Sequence, residues 1–440
     1  MRRALPSACA LLALSWAATL VLEPWSDERV GDLGVRREYA EAFLGGALPY
    51  RDLAFEYPPL AAPLITAPGL AGTSPDAYWA GFAILTFALA VAVLALAGRL
   101  AELTGGDRWL AMVGVALCPL LLGAVVRTHF DWAPVALALG GLVAILSRRP
   151  ALGFALLGIG AMTKAFPLVI APVALAWLLG RGERSAAMRG AVALAATVAA
   201  VAAAGLALSP SGTVVAVRYQ LERPVQVEST PASTLFAIDA LGGAEPVVAA
   251  SHRSAGLTHW LADAIATGFA AVALGAVAWL VFLAARAARR EPPGPRPDGP
   301  AARALVLASL TSVAALVAFG KVLSPQFLIW IVPLLALALA WRQWALAALT
   351  VAAAALTLVE FPSRYLDLVA GEPVAVGVTA LRNGALVAAL ALAIVALMRR
   401  PRVSGGSARS TALARPARRR RSPRSATGPP PRSRTSRASG

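Results

Sequence analysis

Charged residues are scarce in this chain. They make up 14% of its 440 residues, while hydrophobic residues make up 58%. A soluble globular domain has about 25% charged residues. So much apolar surface cannot be buried in one water-facing fold. The composition therefore excludes an ordinary soluble domain and predicts a multi-spanning membrane protein.

Cysteine and histidine are scarcer still. The two cysteines, Cys9 and Cys118, lie far apart in apolar runs, which gives no disulfide or zinc pattern. The three histidines lack zinc-ligand spacing. No phosphate-binding glycine motif stands in a strand–helix context, so we expect no nucleotide domain and no cofactor. Any activated substrate must then carry its own leaving group.

Positive charge is abundant only at the carboxyl end. The net charge is +17, but residues 399–440 hold 13 arginines and no acid, so the other 398 residues carry +4. Such an Arg/Ser/Pro/Gly-rich segment is typical of a disordered tail on the cytoplasmic side, near anionic lipid. We expect no nucleic-acid partner.

The apolar runs predict an all-α polytopic protein with about 11–13 transmembrane helices in residues 1–398. They include single spans over Trp109–Val126 and Trp132–Leu146, and two segments that are short for full spans, Ala151–Met162 and Ala165–Leu179. Ala4–Leu22 is interpreted as an uncleaved first span with its amino terminus inside. Residues 23–77 and 209–258 become extracytoplasmic loops, and both termini are cytoplasmic. The basic clusters then fall almost entirely on the inner side, as the positive-inside rule requires.

The first loop is the most informative segment. Between residues 23 and 76 it has nine acids and four arginines. Leu33–Leu44 has an apolar face with helical spacing and is followed by Gly45-Gly46, which predicts a short helix on the membrane surface. Pro58-Pro59 then interrupts regular structure before the next span.

With this topology, most charges near the membrane collect at its outer side. Ionisable groups at such positions usually face a cavity, pair or act in function. The alternatives are that Asp131 pairs with Arg127 one turn away, that Lys164 and Lys321 extend to the interface, and that Glu222 and Arg223 form an exposed pair. The convergence favours an outward-opening polar cavity. We expect these residues to bind substrate: Glu56, Tyr57, Arg127, Asp131, Lys164, Arg218, Glu222, Lys321 and Gln326.

A carboxylate beside several cations suits a general base next to an anion site. Arginine holds phosphate in a bidentate manner and lysine acts as a point charge. A lipid-phosphate sugar presented from the membrane fits this combination without a nucleotide domain.

Several motifs in the sequence resemble those of a known family. They are Asp32-x-x-Val35…Tyr39-Ala40, Gly46-x-x-Pro49-Tyr50-Arg51-Asp52, Phe55-Glu56-Tyr57-Pro58-Pro59-Leu60, Phe130-Asp131, Thr163-Lys164-x-x-Pro167, Arg218-Tyr219-Gln220-x-Glu222-Arg223-Pro224…Glu228-Ser229 and Lys321-x-x-Ser324-Pro325-Gln326. Together they resemble the bacterial polyprenol-phosphate-mannose-dependent mannosyltransferases of glycosyltransferase family 87, which have the GT-C membrane fold. The likeness covers residues 27–335, and Arg36 stands where a tyrosine is common.

The resemblance implies that a hexose, usually mannose, moves from a polyprenyl phosphate to a lipid or glycan acceptor outside the cytoplasm. The first-loop aspartate would be the base, which matches Asp32, with Asp27 as the alternative. Lys164, Arg218 and Lys321 would contact the donor phosphate. Glu56, Tyr57 and Asp131 would orient the site.

Two other functions remain open from the sequence. A secondary transporter or lipid flippase would also have an outward-opening polar cavity, although no internal repeat is evident. A ligase of lipid-linked polymers or a protein O-glycosyltransferase would differ only in its acceptor.

Overall fold

The computed structural model describes residues 4–290 and 299–399, and these residues are mainly helical. The predicted basic tail, apart from Arg399, lies outside the described residues. The first part of the chain contains these helices: α1 Ala4–Val21, α2 Leu33–Leu44, α3 Ala61–Thr66, a 3-10 turn Ala67–Ala71, α4 Pro75–Leu103, α5 Arg108–Ala116, α6 Pro119–Leu122 and α7 Val125–Thr128.

The predicted surface helix is confirmed as α2, with the bounds expected from its apolar face. Gly45 is the C-cap that follows its last residue, Leu44, and Gly46 adopts a positive φ of 95°. The predicted single span over residues 109–126 is wrong. Pro119 has no backbone N–H and Gly123 has a φ of 59°, so the segment is broken into α5, α6 and α7.

The middle of the chain contains short apolar helices, as expected. They are followed by one long helix: α8 Trp132–Leu146, α9 Pro150–Ala161, a 3-10 turn Phe166–Val169, α10 Ile170–Gly180 and α11 Arg184–Leu208. Lys164 lies in the turn between α9 and α10. Gly141 and Gly153 let α8 and α9 approach closely, since a Cβ on either would lie within 3 Å of the other's carbonyl oxygen.

The second predicted loop, residues 209–258, has more regular structure than its sequence suggested. Its elements are α12 Pro210–Leu221, β1 Val225–Gln226, α13 Thr230–Ala240, β2 Val247–Ser251 and β3 Ser254–Thr258. The strands form an antiparallel sheet in the order β1-β3-β2. In its register Val225 faces Leu257, and Ser251 faces Ser254 across the β2–β3 turn.

The last part of the chain returns to long apolar helices. They are α14 Ala262–Arg289, α15 Pro300–Phe319, a 3-10 turn Pro325–Phe327, α16 Leu328–Ala340, α17 Trp344–Glu360, α18 Tyr365–Val369 and α19 Pro373–Met398.

Six helices among the described residues are long and apolar enough to cross a membrane by length and composition. They are α1, α4, α11, α14, α15 and α19. Seven shorter apolar segments accompany them. The predicted fold class, an all-α polytopic membrane protein, is confirmed.

Three apolar clusters hold the helices and the two predicted loop segments together. The largest includes nearly the whole of α15 and α16, which are buried among the other helices. A second lies under the sheet and α13. The third joins α2 to the start of α4 through Tyr39, Phe55 and Phe82. The first loop is therefore a packed element, and its side chains have fixed positions.

Candidate functional site

A cavity of about 410 Å³ lies where the first loop meets the α9–α10 turn and the connection between α15 and α16. Six of the ten site residues expected from sequence line it. They are Asp32, Glu56, Tyr57, Lys164, Lys321 and Gln326. The chain brings them together from positions almost 300 residues apart. Of the other four, Asp131 contacts the lining residue Lys164 but does not itself line the cavity. Arg127, Arg218 and Glu222 also lie outside the lining.

Asp32 presents a half-exposed carboxylate to this cavity, with 42% of the side chain accessible. It immediately precedes α2, and Arg36 is one turn further along that helix. The Arg36 guanidinium lies 3.4 Å from the Asp32 carboxylate and donates a 2.7 Å hydrogen bond to the Thr128 carbonyl. It also lies about 6 Å from the ring centroids of Phe82 and Phe130. The buried Arg36, anchored to a backbone carbonyl, thus holds the Asp32 carboxylate, which stays open to the cavity on its other side.

Asp27 is held differently. Arg29 donates side-chain hydrogen bonds of 2.6–3.1 Å to both of its carboxylate oxygens, and the Asp27 side chain is only 4% exposed. These hydrogen bonds lower the pKa of Asp27, which lies in the loop outside the spans. Asp27 does not line the cavity. Of the two aspartates proposed from sequence, only Asp32 has a carboxylate facing the cavity.

Lys164 forms the most enclosed part of the wall. Its Nζ donates a 2.6 Å hydrogen bond to Asp131 Oδ1, which also accepts a 2.6 Å bond from Trp330 Nε1. The ammonium lies 5.4–5.5 Å from the ring centroids of Phe130, Phe327 and Trp330. Only one of its three donors is used by Asp131, so the cation keeps hydrogen-bonding capacity toward the cavity.

The aromatic rings beside Lys164 form a stack. Trp330 lies between Phe166 and Phe327, with ring centroids 4.3 Å and 4.1 Å away and ring planes inclined by 19° in both pairs. All three line the cavity. This stack gives the cation an apolar, rigid surrounding in which its charge is screened less than in water.

The alternative pairing of Asp131 with Arg127 is wrong. The Arg127 guanidinium forms an ion pair with Glu28 and donates to the carbonyl oxygens of Thr19 and Ser26. Arg127 thereby ties α7 to the end of α1. Its predicted substrate contact has no support from this arrangement and stays a prediction.

Lys321 and Arg218 have different surroundings, although both were expected to contact the donor phosphate. Lys321 lines the cavity and its Nζ donates a 2.7 Å hydrogen bond to the Leu221 carbonyl. Arg218 is exposed on α12 and pairs with Glu222 at 3.3 Å, four residues along the helix. Glu222 therefore pairs with Arg218, whereas the sequence had offered Arg223 as its partner.

Several lining residues were not selected from the sequence. Arg223 and Arg253 bring two more basic side chains to the cavity, and Glu228 brings a third carboxyl group. Arg253 lies at the tip of the β2–β3 turn, which has no sequence signature of the usual Asn-Gly type. Glu228 was quoted only as part of a motif. Across residues 4–290 and 299–399, no group of three or more His, Cys, Asp or Glu is placed to hold a metal ion.

Glu228 belongs to a buried polar cluster behind the cavity. Gln226 donates a 2.5 Å hydrogen bond to the Glu228 carboxylate. The backbone carbonyl of Glu228 accepts hydrogen bonds from both Arg382 and Asn383. Glu360 lies on the other side of Arg382, with 3.7 Å between carboxylate and guanidinium. Burial raises the pKa of Glu228 well above its usual value, and the Glu360 charge adds to the rise. Glu228 lies between β1 and α13, outside the spans.

The raised pKa of Glu228 predicts a pH-dependent stability. A carboxyl group that binds its proton more tightly in the folded state stabilises the fold fully below about pH 4.5, the ordinary value. That stabilisation is lost as pH rises toward the folded pKa. Glu228→Gln removes the ionisation. We therefore expect its unfolding temperature, relative to wild type, to increase as pH rises above 4.5, as thermal denaturation in detergent can measure.

Glu245→Gln is the matched control, because Glu245 is an exposed acid of the same segment. Because its side chain is exposed, Glu245→Gln is expected to change the unfolding temperature little. A Glu228→Gln difference from wild type that does not change with pH would contradict a raised pKa in the folded protein.

Comparison with known proteins identifies the chain. The helical fold and the charged cavity define a membrane protein with a polar site. The family description "Glycosyltransferase family 87" matches residues 55–318. Since the match covers more than half of the chain, the chain belongs to glycosyltransferase family 87. Asp32 lies 23 residues before the matched range, and Lys321 lies three residues after it.

Among solved structures, the chain is similar to the oligosaccharyltransferase of Archaeoglobus fulgidus, tethered through a disulfide bond to an acceptor peptide with the NVT sequon. The identity is 14%, the TM-score is 0.43, and the match covers 90% of this chain and 55% of that one. The chain thus spans about half the length of that enzyme. No curated protein matches the sequence.

Proposed function

We propose that this glycosyltransferase moves a hexose, with mannose the first choice, from a polyprenyl-phosphate donor to a lipid or glycan acceptor. The observation that carries the proposal is the presence of one half-exposed carboxylate, Asp32, in the same cavity as Lys164 and Lys321. The carboxylate has the exposure a base needs, and the lysines have the charge a phosphate needs.

The reaction is a single displacement. Asp32 takes the proton of the acceptor hydroxyl as its oxygen attacks the anomeric carbon. The bond from that carbon to the phosphate oxygen breaks, and polyprenyl phosphate leaves with the electron pair. Lys164 and Lys321 stabilise the negative charge that develops on the leaving oxygen. The donor brings its own leaving group, so the proposal includes no cofactor.

The test is sugar transfer in membranes that contain the chain. Radiolabelled polyprenyl-phosphate mannose and polyprenyl-phosphate glucose are supplied separately, with and without a chelator, and labelled products are extracted and identified. The expected result is a product whose formation requires the chain and the mannosyl donor. Failure with every polyprenyl-phosphate hexose, together with solute uptake by proteoliposomes, would overturn the proposal in favour of a transporter.

We further propose that the cavity opens on the extracytoplasmic side and that both termini are cytoplasmic. Ser185 and Ser211 are exposed residues near opposite ends of the membrane-length helix α11. In a chain with Cys9 and Cys118 replaced by alanine, Ser211→Cys should react with an impermeant thiol reagent in intact cells. Ser185→Cys should react only after lysis, and the reverse pattern would invert the topology.

Lys321 gives a prediction about donor binding. Lys321→Ala is expected to raise the KM for the donor about tenfold, because one charge facing the phosphate is lost. Lys321→Arg should retain most of the affinity. Initial rates at varied donor concentration measure both. An unchanged KM in Lys321→Ala would remove this residue from the phosphate site.

The Arg218→Ala variant tests whether Arg218 makes the phosphate contact that the sequence predicts. Arg218 was expected to bind phosphate, yet it is 69% exposed and paired with Glu222. If its side chain acts only in that surface pair, the KM for the donor will be unchanged. A rise equal to that of Lys321→Ala would show that α12 turns Arg218 toward the donor.

A further inference from the structure

A second cavity of about 450 Å³ adjoins the first. It lies between the first loop and α12, and no step of the proposed reaction uses it. Its volume is in the range of small-molecule sites, about 300–1,000 Å³. Glu56 and Arg253 line both cavities. These two side chains therefore form the partition between them.

The partition is an ion pair rather than a wall of backbone. Arg253 Nη1 lies 3.7 Å from Glu56 Oε1 and donates a 3.1 Å hydrogen bond to the Tyr39 hydroxyl. The guanidinium carbon is also 5.4 Å from the Tyr39 ring centroid. About half of the Arg253 side chain remains exposed. A ligand that offers its own hydrogen bonds can replace the contact between Arg253 and Glu56.

The turn that carries Arg253 is strained. His252 and Arg253 have φ values of 52° and 55°, a left-handed conformation that residues other than Gly, Asn, Asp and His rarely adopt. Arg253 is not of the type that this turn prefers. Strain of this kind persists where the surroundings fix it, and it is common at ligand sites. Here it holds Arg253 at the junction of the two cavities.

The chemistry of the second cavity differs from that of the first. The lysines and arginines of the first cavity number four and its carboxyl groups three, whereas the second cavity has two of each: Arg51, Arg253, Asp52 and Glu56. The lining of the second cavity also includes the aromatic and hydroxyl groups of Tyr39, Tyr50, Tyr219, Ser209 and Ser211. Balanced charge disfavours a phosphate. Ring faces beside paired donors and acceptors are what a neutral, hydroxyl-rich ring requires.

One face of α12 forms a side of this cavity. Ser211, Val215 and Tyr219 line it at intervals of four residues, together with Gly212 and Ala216. Gly212 is needed there because a Cβ would collide with the Tyr50 carbonyl oxygen. Close contact between α12 and the first loop thus fixes the width of the cavity.

We propose that the second cavity binds the saccharide portion of the acceptor. The reacting hydroxyl of the acceptor passes the Glu56–Arg253 pair to reach Asp32 in the first cavity. The inference rests on the proposed transfer reaction and adds the class of acceptor and its site. Donor and acceptor then occupy separate cavities on either side of one ion pair.

The experiment uses Trp substitutions on the two faces of α12. Val215 lines the cavity and Val217 does not, and the two are 56% and 57% exposed. Octyl glycosides of mannose, glucose and galactose serve as probe acceptors with radiolabelled polyprenyl-phosphate mannose. Val215→Trp is expected to raise the half-saturating glycoside concentration by about tenfold while the donor KM changes by less than about twofold. Ser211→Trp should behave alike, and Val217→Trp like wild type.

The outcomes separate this inference from the proposed function. Equal effects of Val215→Trp and Val217→Trp, or an effect on donor KM alone, would overturn the acceptor site. Wild-type membranes that label an endogenous product but use no glycoside would overturn the saccharide assignment and leave the transfer reaction standing. Membranes that label nothing would defeat the proposed function itself.

Discussion

Asp32→Asn is expected to lower kcat for sugar transfer by about 10²–10⁴-fold, the usual contribution of a general base. The asparagine side chain keeps the shape of aspartate but cannot accept the acceptor's proton. The substitution should leave the fold intact, since Asp32 makes only a 3.4 Å contact with Arg36 and is half exposed. Steady-state transfer in membranes, with protein amount measured by immunoblot, gives the ratio.

The environment of Asp32 explains why a large loss is expected there. Its carboxylate faces the cavity, and its ion-pair partner, Arg36, is anchored to the Thr128 carbonyl. Arg36 would therefore act as a positioning residue for the proposed base. A proton acceptor needs a free lone pair directed at the proton donor, and the half-exposed carboxylate of Asp32 offers one to the cavity.

Asp27→Asn is the matched control. Asp27 is the other aspartate of the loop, but hydrogen bonds from Arg29 occupy its carboxylate, and it does not line the cavity. We expect near-normal turnover together with lower thermal stability. If Asp27→Asn abolishes transfer and Asp32→Asn does not, the base is Asp27.

Arg382→Met is expected to reduce the free energy of unfolding by about 3–5 kcal/mol, as breaking a buried ion pair does. Arg382 and Glu360 are both fully buried, and Arg382 also donates a 2.5 Å hydrogen bond to the Glu228 carbonyl. Without the guanidinium, the buried Glu360 carboxyl group loses the cation that neutralises it. Unfolding in mixed micelles with increasing denaturing detergent provides the measurement.

A double variant shows whether charge causes the loss. Arg382→Met with Glu360→Gln removes both charges, so it should recover much of the stability lost in Arg382→Met. Arg364→Met is the control for a nearby exposed arginine, with a change within about 0.5 kcal/mol. A double variant no more stable than Arg382→Met would assign the loss to packing and hydrogen bonding instead.

Local features of the fold could be read from the sequence because they depend on local periodicity. Leu33–Leu44 and Trp132–Leu146 were placed with their observed bounds. The short β-strands were not, since Val225–Gln226 has only two residues and no alternation to detect. The break at Pro119 and Gly123 was missed because the whole segment is apolar, and hydrophobicity alone does not distinguish a continuous span from three short helices.

Partners across the chain were beyond the sequence. Asp131 was offered a neighbour four residues away, Arg127, whereas its contacts are Lys164 and Trp330. Arg36 stood out in sequence only as a departure from the family pattern, yet it contacts the expected base. Arg253 came from a segment with no motif. Such pairings are set by how the helices pack, which a single sequence does not contain.

The lengths of α9 and α10 bear on how deep the proposed phosphate site lies. At 1.5 Å per residue α9 rises about 18 Å, and α10 with its 3-10 turn rises about 25 Å, against a hydrocarbon layer of about 30 Å. A hairpin of this height that starts at one membrane surface places the turn bearing Lys164 roughly 5–12 Å below the opposite one. A phosphate on a polyprenyl chain is already anchored in the membrane, so it would have a shorter path to a lysine at that depth than a phosphate dissolved in water. The proposed contact with Lys164 therefore favours lipid-borne donors.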